Sequence, residues 1–204
     1  MVRSQLKARN IHDAAVLDAM RTVPRHVFAG DNNVRAAYAD RALPIGGGQT
    51  ISQPYIVAFM TQALAAPEDG TVLEIGTGSG YQAAVLSRVV KRVITIERIE
   101  SLSARAQKLF EELGYDNIEC HVGDGTLGWP PDAPYDGILI TAGGPRIPEP
   151  LKEQLAPNRH LIMPVGKSQR HQYLVRLTLL PGGTFQKERL SPVAFVPLIG
   201  EHGW

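Results

Sequence analysis

The run Glu74-Ile-Gly-Thr-Gly-Ser-Gly80 carries the most chemistry in this sequence. Glycines at alternate positions let a backbone turn tightly. The apolar residues before them read as a strand, and the alanine-rich stretch after them reads as a helix. A loop in that place aims the first amides of the helix at whatever it holds. Glu97 closes the next β-branched run, where an acidic side chain can accept both hydroxyls of a ribose. Strand, glycine loop, helix, strand and acid in that order point to a nucleotide-type ligand.

The spacing narrows the choice. A dinucleotide loop reads G-x-G-x-x-G, whereas Gly76, Gly78 and Gly80 read G-x-G-x-G, with Thr77 between the first two. Glu74 stands two residues before the first glycine, where a carboxylate repels a pyrophosphate and suits a cation or an ammonium group. S-adenosylmethionine offers a sulfonium, an amino group, a ribose for Glu97 and an adenine edge. Asp124-Gly125, just after the third strand, is placed for that edge, although Asp before Gly is equally a turn signature.

A second signal lies at residues 43–54, LPIGGGQTISQP. Three glycines, then Gln49, Thr50, Ile51 and Ser52, lead into a helix start. Free amides and a hydroxyl converging there suit an anion. Ser52 also reads as the N-cap of that helix, with Pro54 in its first turn. Other reactive residues read as structural. His26 sits between arginine and apolar residues, Cys120 reads as a core thiol, and no histidine–carboxylate spacing suits a metal. Arg159, His160, Lys167, Arg170, His171 and Arg176 read as a solvated basic stretch.

The elements that must position these residues follow from periodicity. Val16, Leu17 and Met20 share a face of a helix over 13–23, which Pro24 stops. Residues 24–50 read as irregular, long enough to suggest a lid or binding segment. A helix runs to about Leu64. Strands are predicted at 71–75, 92–96, 118–122, 135–141 and 160–165. Helices follow the glycine loop, carry Leu102, Ala106, Leu109 and Leu113 up to Gly114, and recur near 149–155. That alternation predicts a parallel sheet with helices on both faces. Runs at 172–180 and 185–190, joined by Pro181-Gly182-Gly183, predict a hairpin, and 193–198 a last strand or an extended tail.

Composition sets the outer limits. The 204 residues are 44% hydrophobic and 20% charged, with a net charge of +1 and one cysteine. A real core fits, while an internal disulfide, a multi-cysteine metal site and a global basic field for nucleic acid do not. No apolar run is long enough for a bilayer, and the start MVRSQLK has no signal-like stretch. A cytoplasmic protein without nucleic-acid or membrane partners is expected.

Residues 43–56 (LPIGGGQTISQPYI) and 72–86 (VLEIGTGSGYQAAVL) resemble protein-L-isoaspartate O-methyltransferases. So do 95–99 (TIERI), 123–125 (GDG), 128–130 (GWP), 164–166 (PVG) and 195–198 (FVPL), and the likeness runs over essentially the whole chain. The glycine loop alone marks S-adenosylmethionine methyltransferases in general; 49–54 makes the match specific. Pro157-Asn158-Arg159 departs from the Gly-Gly-Arg that relatives tend to carry, but asparagine tolerates left-handed backbone, so the turn is expected to survive.

The resemblance implies a doubly wound Rossmann-like methyltransferase sheet, mostly parallel with a C-terminal antiparallel hairpin. It implies one domain over 1–204: a helical or lid extension at 1–70, a cofactor-binding α/β core at 71–165, and a β hairpin and tail at 166–204. It implies repair by methylation of the free α-carboxylate of isoaspartyl residues in damaged proteins and peptides, by a monomer without metal. Ser52 is then the active-site serine, and 49–52 touch cofactor and substrate. Glu74 and the glycines hold the methionine part, Glu97 the ribose, and Asp124-Gly125 the adenine edge. Three rivals are weighed: a carboxyl methyltransferase for a dedicated precursor peptide, a nicotinamide oxidoreductase, and a cofactor-binding module without turnover.

Overall fold

The computed structural model describes residues 1–30, 34–168 and 171–204. Short 3₁₀ and π turns lead into α1 (Ala14–Thr22), capped by Asp13, whose carboxylate accepts from the Val16 amide at 3.0 Å. Its buried face is Val16, Leu17, Ala19 and Met20, and Pro24 lies just beyond its end.

The segment 24–50, expected to be irregular, is structured wherever it is described. It holds α2 (Arg25–Ala29), α3 (Val34–Ala37), β1 (Leu43–Gly46) and β2 (Gln49–Ile51). The two helices have five and four residues, too few to show a helical period. The strands pair antiparallel through a turn in which Gly46, Gly47 and Gly48 all take positive φ. Residues 31–33 of this segment, and Arg170 of the basic stretch, lie outside the described residues. Buried Arg25 ties α2 to α3 and to the core beyond. Its Nε donates to the Ala37 carbonyl at 2.7 Å, and its guanidinium lies 4.9 Å from the centre of the Tyr81 ring.

After α4 (Pro54–Leu64) come β3 (Thr71–Ile75), α5 (Tyr81–Leu86), β4 (Arg92–Glu97), α6 (Glu100–Leu113) and β5 (Ile118–Val122). Next in the chain are β6 (Tyr135–Ile140), α7 (Glu149–Glu153), β7 (Leu155–Ser168), β8 (His171–Leu179) and β9 (Phe185–Val193). The main sheet runs β5-β4-β3-β6-β7-β8-β9. The first five are parallel, and β8 and β9 are antiparallel. The chain therefore builds outward from β3 through β4 to β5, then returns to place β6 on the other side of β3. Such a reversal opens a crevice at the carboxyl ends of the two strands.

Strand alternation fills both faces. Val72, Val93, Leu139 and Ile162 pack with the residues of α1, α4, α5 and α6, and Leu6 and Phe28 of the N-terminal segment join this same core. Leu73, Ile75, Ile94, Ile96, Ile138 and Ile140 face the other way, onto Ile147 and Leu151. Each such side chain contributes about 1.5–3 kcal/mol relative to exposure. Helices thus cover both faces, but the second layer is thin, since α7 has only five residues.

Three details differ in extent from the sequence expectation. Strand β7 starts at Leu155 and not at His160, and carries between those two residues a bulge where Asn158 adopts φ 63°, the left-handed geometry expected of it. Strand β9 continues to Val193. The residues after it form a tail, joined to the loop after β6 by a single bridge between Gly143 and Pro197. Cys120 is only half-buried, because β5 is the edge of the sheet. No helix among the described residues is long and apolar enough to cross a membrane.

Candidate active site

The crevice at the ends of β3 and β6 is where the sequence signals converge. Residues 76–80 leave β3 with Gly76, Gly78 and Gly80 at φ 97°, 52° and 86°. A side chain at Gly76 would collide with the Thr141 hydroxyl, and one at Gly80 would meet the Phe110 ring of α6 at 2.7 Å. The glycines thus serve both the turn and the close approach of its neighbours.

Glu97, at the end of β4, is buried and braces this loop. One of its oxygens accepts from the Gly78 amide and the other from the Ile99 amide, each at 2.9 Å. A carboxylate oxygen has capacity for a further donor, and Glu97 lines the cavity beside Gly76, Thr77 and Gly78.

Glu74 stands behind the loop and does not line the cavity. Its side chain is fully buried. Oε2 accepts from the Thr95 hydroxyl at 2.5 Å, and that hydroxyl lies 2.7 Å from the Thr77 hydroxyl. Oε1 has no partner. Burial pushes this carboxyl up to about 8, against the pull of the Thr95 hydrogen bond, and the charge of Glu97 adds to the rise. An unpartnered carboxyl oxygen behind a glycine cradle fits a ligand whose near end is cationic.

Gln49, Thr50, Ile51 and Ser52 form another wall of the same cavity. The expectation that Ser52 caps α4 is overturned. The cap position falls one residue later, on Gln53, whose own side chain caps nothing. Asp40 takes that role instead. Its Oδ1 accepts from the Tyr55 amide at 3.1 Å, and its Oδ2 accepts from Gln53 Nε2 at 2.8 Å and Arg9 Nη1 at 2.6 Å. The Ser52 hydroxyl makes no hydrogen bond among the described residues, so its donor is free.

Asp124 and Gly125 separate. Gly125 lines the cavity and Asp124 does not. The Asp124 carboxylate accepts from the Thr126 amide at 2.8 Å, the Thr126 hydroxyl at 2.7 Å and the Glu201 amide at 2.8 Å. Burial works to raise this carboxyl, but the Glu201 and Thr126 bonds outweigh it and hold it below the usual carboxylate range. Asp124 thereby fastens the C-terminal tail, whose residues Val196, Pro197, Leu198 and Ile199 close one side of the cavity. Trp204 secures the end of the tail, its indole N–H donating to the Gly143 carbonyl at 2.8 Å.

A second cavity opens beside the first, lined by Ala42, Gln53, Ile56, Pro192 and Val193 at the end of β9, and the tail's Ala194 and Phe195. The two share Thr50, Ser52 and Thr141. Sequence reasoning missed Thr141 as a cavity wall. The signal for Thr141 was its place at the end of the strand that returns beside β3. Among the described residues, no histidine lines either cavity.

Comparison with known proteins gives a consistent result. The family model described as protein-L-isoaspartate(D-aspartate) O-methyltransferase matches residues 1–203. A protein-L-isoaspartate O-methyltransferase 2 of Pelobacter propionicus is 52% identical over 204 residues, covering 100% of this chain and 91% of that protein. One from Roseiflexus sp. is 54% identical over 199 residues, covering 98% and 90%. Among solved structures, a protein-L-isoaspartate O-methyltransferase superposes with a TM-score of 0.87 at 29% identity, covering 97% of this chain. This chain spans only 64% of that one. A Plasmodium falciparum counterpart, solved in complex with S-adenosyl-L-homocysteine, gives 0.80 at 26% identity, covering 95% and 94%.

Proposed function

Because the chain belongs to the protein-L-isoaspartate(D-aspartate) O-methyltransferase family, we propose that its two adjoining cavities hold S-adenosylmethionine and an isoaspartyl residue of a damaged protein or peptide. The observation that carries this reading is their junction, where Thr50, Ser52 and Thr141 belong to both. Bound in the first cavity, S-adenosylmethionine supplies an electrophilic methyl carbon on a positively charged sulfur.

The chain's residues then have three tasks. The glycine loop, backed by the Glu74 carboxyl, receives the cationic methionine end. Glu97 accepts from ribose hydroxyls while its backbone bonds keep it in place. Gly125 borders the adenine, and Asp124 holds the tail that closes over it. Ser52, with its donor free, orients the acceptor carboxylate, aided by Gln49, Thr50 and Ile51. A substrate carboxyl with a pKa near ~4 is already ionised at pH 7 and needs no base. The absence of histidine from both cavity walls is consistent with that. A carboxylate lone pair forms the new O–C bond, the C–S electrons stay on sulfur, and no proton moves. What the protein contributes is in-line alignment and the exclusion of water.

The extended residues Pro192–Phe195 along the second cavity suit a peptide main chain, which any damaged sequence provides. One chain builds both cavities, which supports a monomer in which the N-terminal segment, core and tail act as a single domain. The test uses radiolabelled S-adenosylmethionine with matched isoaspartyl and aspartyl peptides. Base-labile label on the isoaspartyl peptide alone is expected. Equal labelling of both peptides, or of neither, refutes the reading.

A further inference from the structure

The three residues shared by the two cavities are not chemically equivalent. Ser52 and Thr141 both present hydroxyls, but in opposite states. Ser52 donates to nothing among the described residues. Thr141, at the end of β6, has two acceptors competing for its single hydrogen, the Gly76 carbonyl at 2.6 Å and the Ile75 carbonyl at 3.0 Å. No described residue donates to Thr141 Oγ1, so its lone pairs remain open. One hydroxyl at the junction is therefore an available donor, and the other is an acceptor only.

A carboxylate needs donors. A cationic sulfur and the polarised hydrogens of its methyl group need acceptors. We propose that Thr141 is a specificity-determining residue that distinguishes the charged methyl donor from its uncharged product, by presenting hydroxyl lone pairs to the sulfonium end of S-adenosylmethionine. The inference rests on the reading of the first cavity as the S-adenosylmethionine site. S-adenosylhomocysteine has the same adenosine and amino-acid groups but a neutral thioether, and so gains nothing from this acceptor. Discrimination of that kind favours release of product over substrate and limits inhibition by the product.

The test is calorimetric titration of the wild type, Thr141→Val and Thr141→Ser with both ligands, with no methyl acceptor present. Valine keeps the shape and removes the oxygen; serine keeps the oxygen and removes the methyl. The preference for S-adenosylmethionine over S-adenosylhomocysteine is expected to fall about fivefold in Thr141→Val, or about 1 kcal/mol for a contact of this kind. Thr141→Ser should retain the preference. Thr141→Ala is run in parallel, so that a poorly folded valine variant does not decide the matter. If removal of the hydroxyl weakens both ligands by the same factor, Thr141 merely braces Gly76 and the proposal is overturned. If the wild type binds neither ligand, the reading of the cavity fails first and the proposal with it.

Discussion

Glu74→Gln is expected to make the free protein more stable and a weaker binder. The carboxyl is fully buried, with one oxygen on the Thr95 hydroxyl and the other unpartnered, and burial raises it from 4.5 to about 8. Below pH 4.5 it is protonated in both folded and unfolded chains and costs nothing. As pH rises from there the unfolded chain ionises while the folded one does not. The native state then loses about 1.4 kcal/mol per pH unit until about pH 8, where the folded group ionises as well. At pH 7 the loss amounts to about 3 kcal/mol. Glutamine has the same shape, can still accept from Thr95, and does not titrate. Urea unfolding of both proteins between pH 5 and pH 8 should therefore show a gap that widens with pH, the variant being the more stable. Saturating S-adenosylmethionine should narrow the gap, because a cationic ligand recovers the ionised form of Glu74 that glutamine cannot provide. A stability difference that stays flat across this range, or a wild type more stable than the variant at pH 8, would refute the reasoning.

Other substitutions probe the remaining walls. Glu97→Ala removes the proposed ribose acceptor together with the braces on the Gly78 and Ile99 amides. It should weaken S-adenosylhomocysteine binding by roughly 1.5–3 kcal/mol in a calorimetric titration; an unchanged dissociation constant would leave Glu97 as a loop brace only. Ser52→Ala should lower methylation of an isoaspartyl peptide at least about tenfold while the melting temperature stays put, since Ser52 caps nothing. Wild-type turnover in that variant would pass its role to the backbone amides of residues 49–51. Asp40→Ala should cost about 1–2 kcal/mol in urea unfolding, because the cap of α4 lies there; no loss would mean that the Tyr55 amide finds water instead.

Much of the fold is legible in the sequence because its signals are local. The β3–α5–β4–α6–β5 stretch has apolar runs, a glycine loop and a Gly114 stop, each of which acts within a few residues, and the structure places these elements close to where the spacing does. Residues 24–50 read as irregular because α2 and α3 are shorter than the window in which a helical period can appear. They are held by long-range packing: Arg25 reaches the Ala37 carbonyl and the Tyr81 ring, neither of which its neighbours announce. The thin helical layer on the second face is equally hidden, since the sequence marks that a helix occurs between strands and not how much of a face it covers.

The site is legible by residue type and less so by contact. Types and order single out the glycines, Glu74, Glu97 and the 49–52 segment, but not whether a side chain faces the ligand or stands behind something that does. Glu74 and Asp124 illustrate the limit: both are acids beside a glycine turn, and neither lines the cavity. One is buried behind the loop with an open oxygen, and the other spends its oxygens on the Thr126 hydroxyl and the Thr126 and Glu201 amides. The Ser52 cap fails for a related reason. A hydroxyl just before Pro54 satisfies the local rule for a helix start, yet Asp40 arrives from a distant turn and takes the Tyr55 amide first. That displacement has a functional consequence. A capping serine accepts through a lone pair and keeps its proton, but its oxygen is pinned at the helix start; one relieved of capping is free to turn that donor toward the proposed substrate carboxylate. The capping carboxylate of Asp40, well before α4 in the chain, is thus part of what leaves the junction reactive.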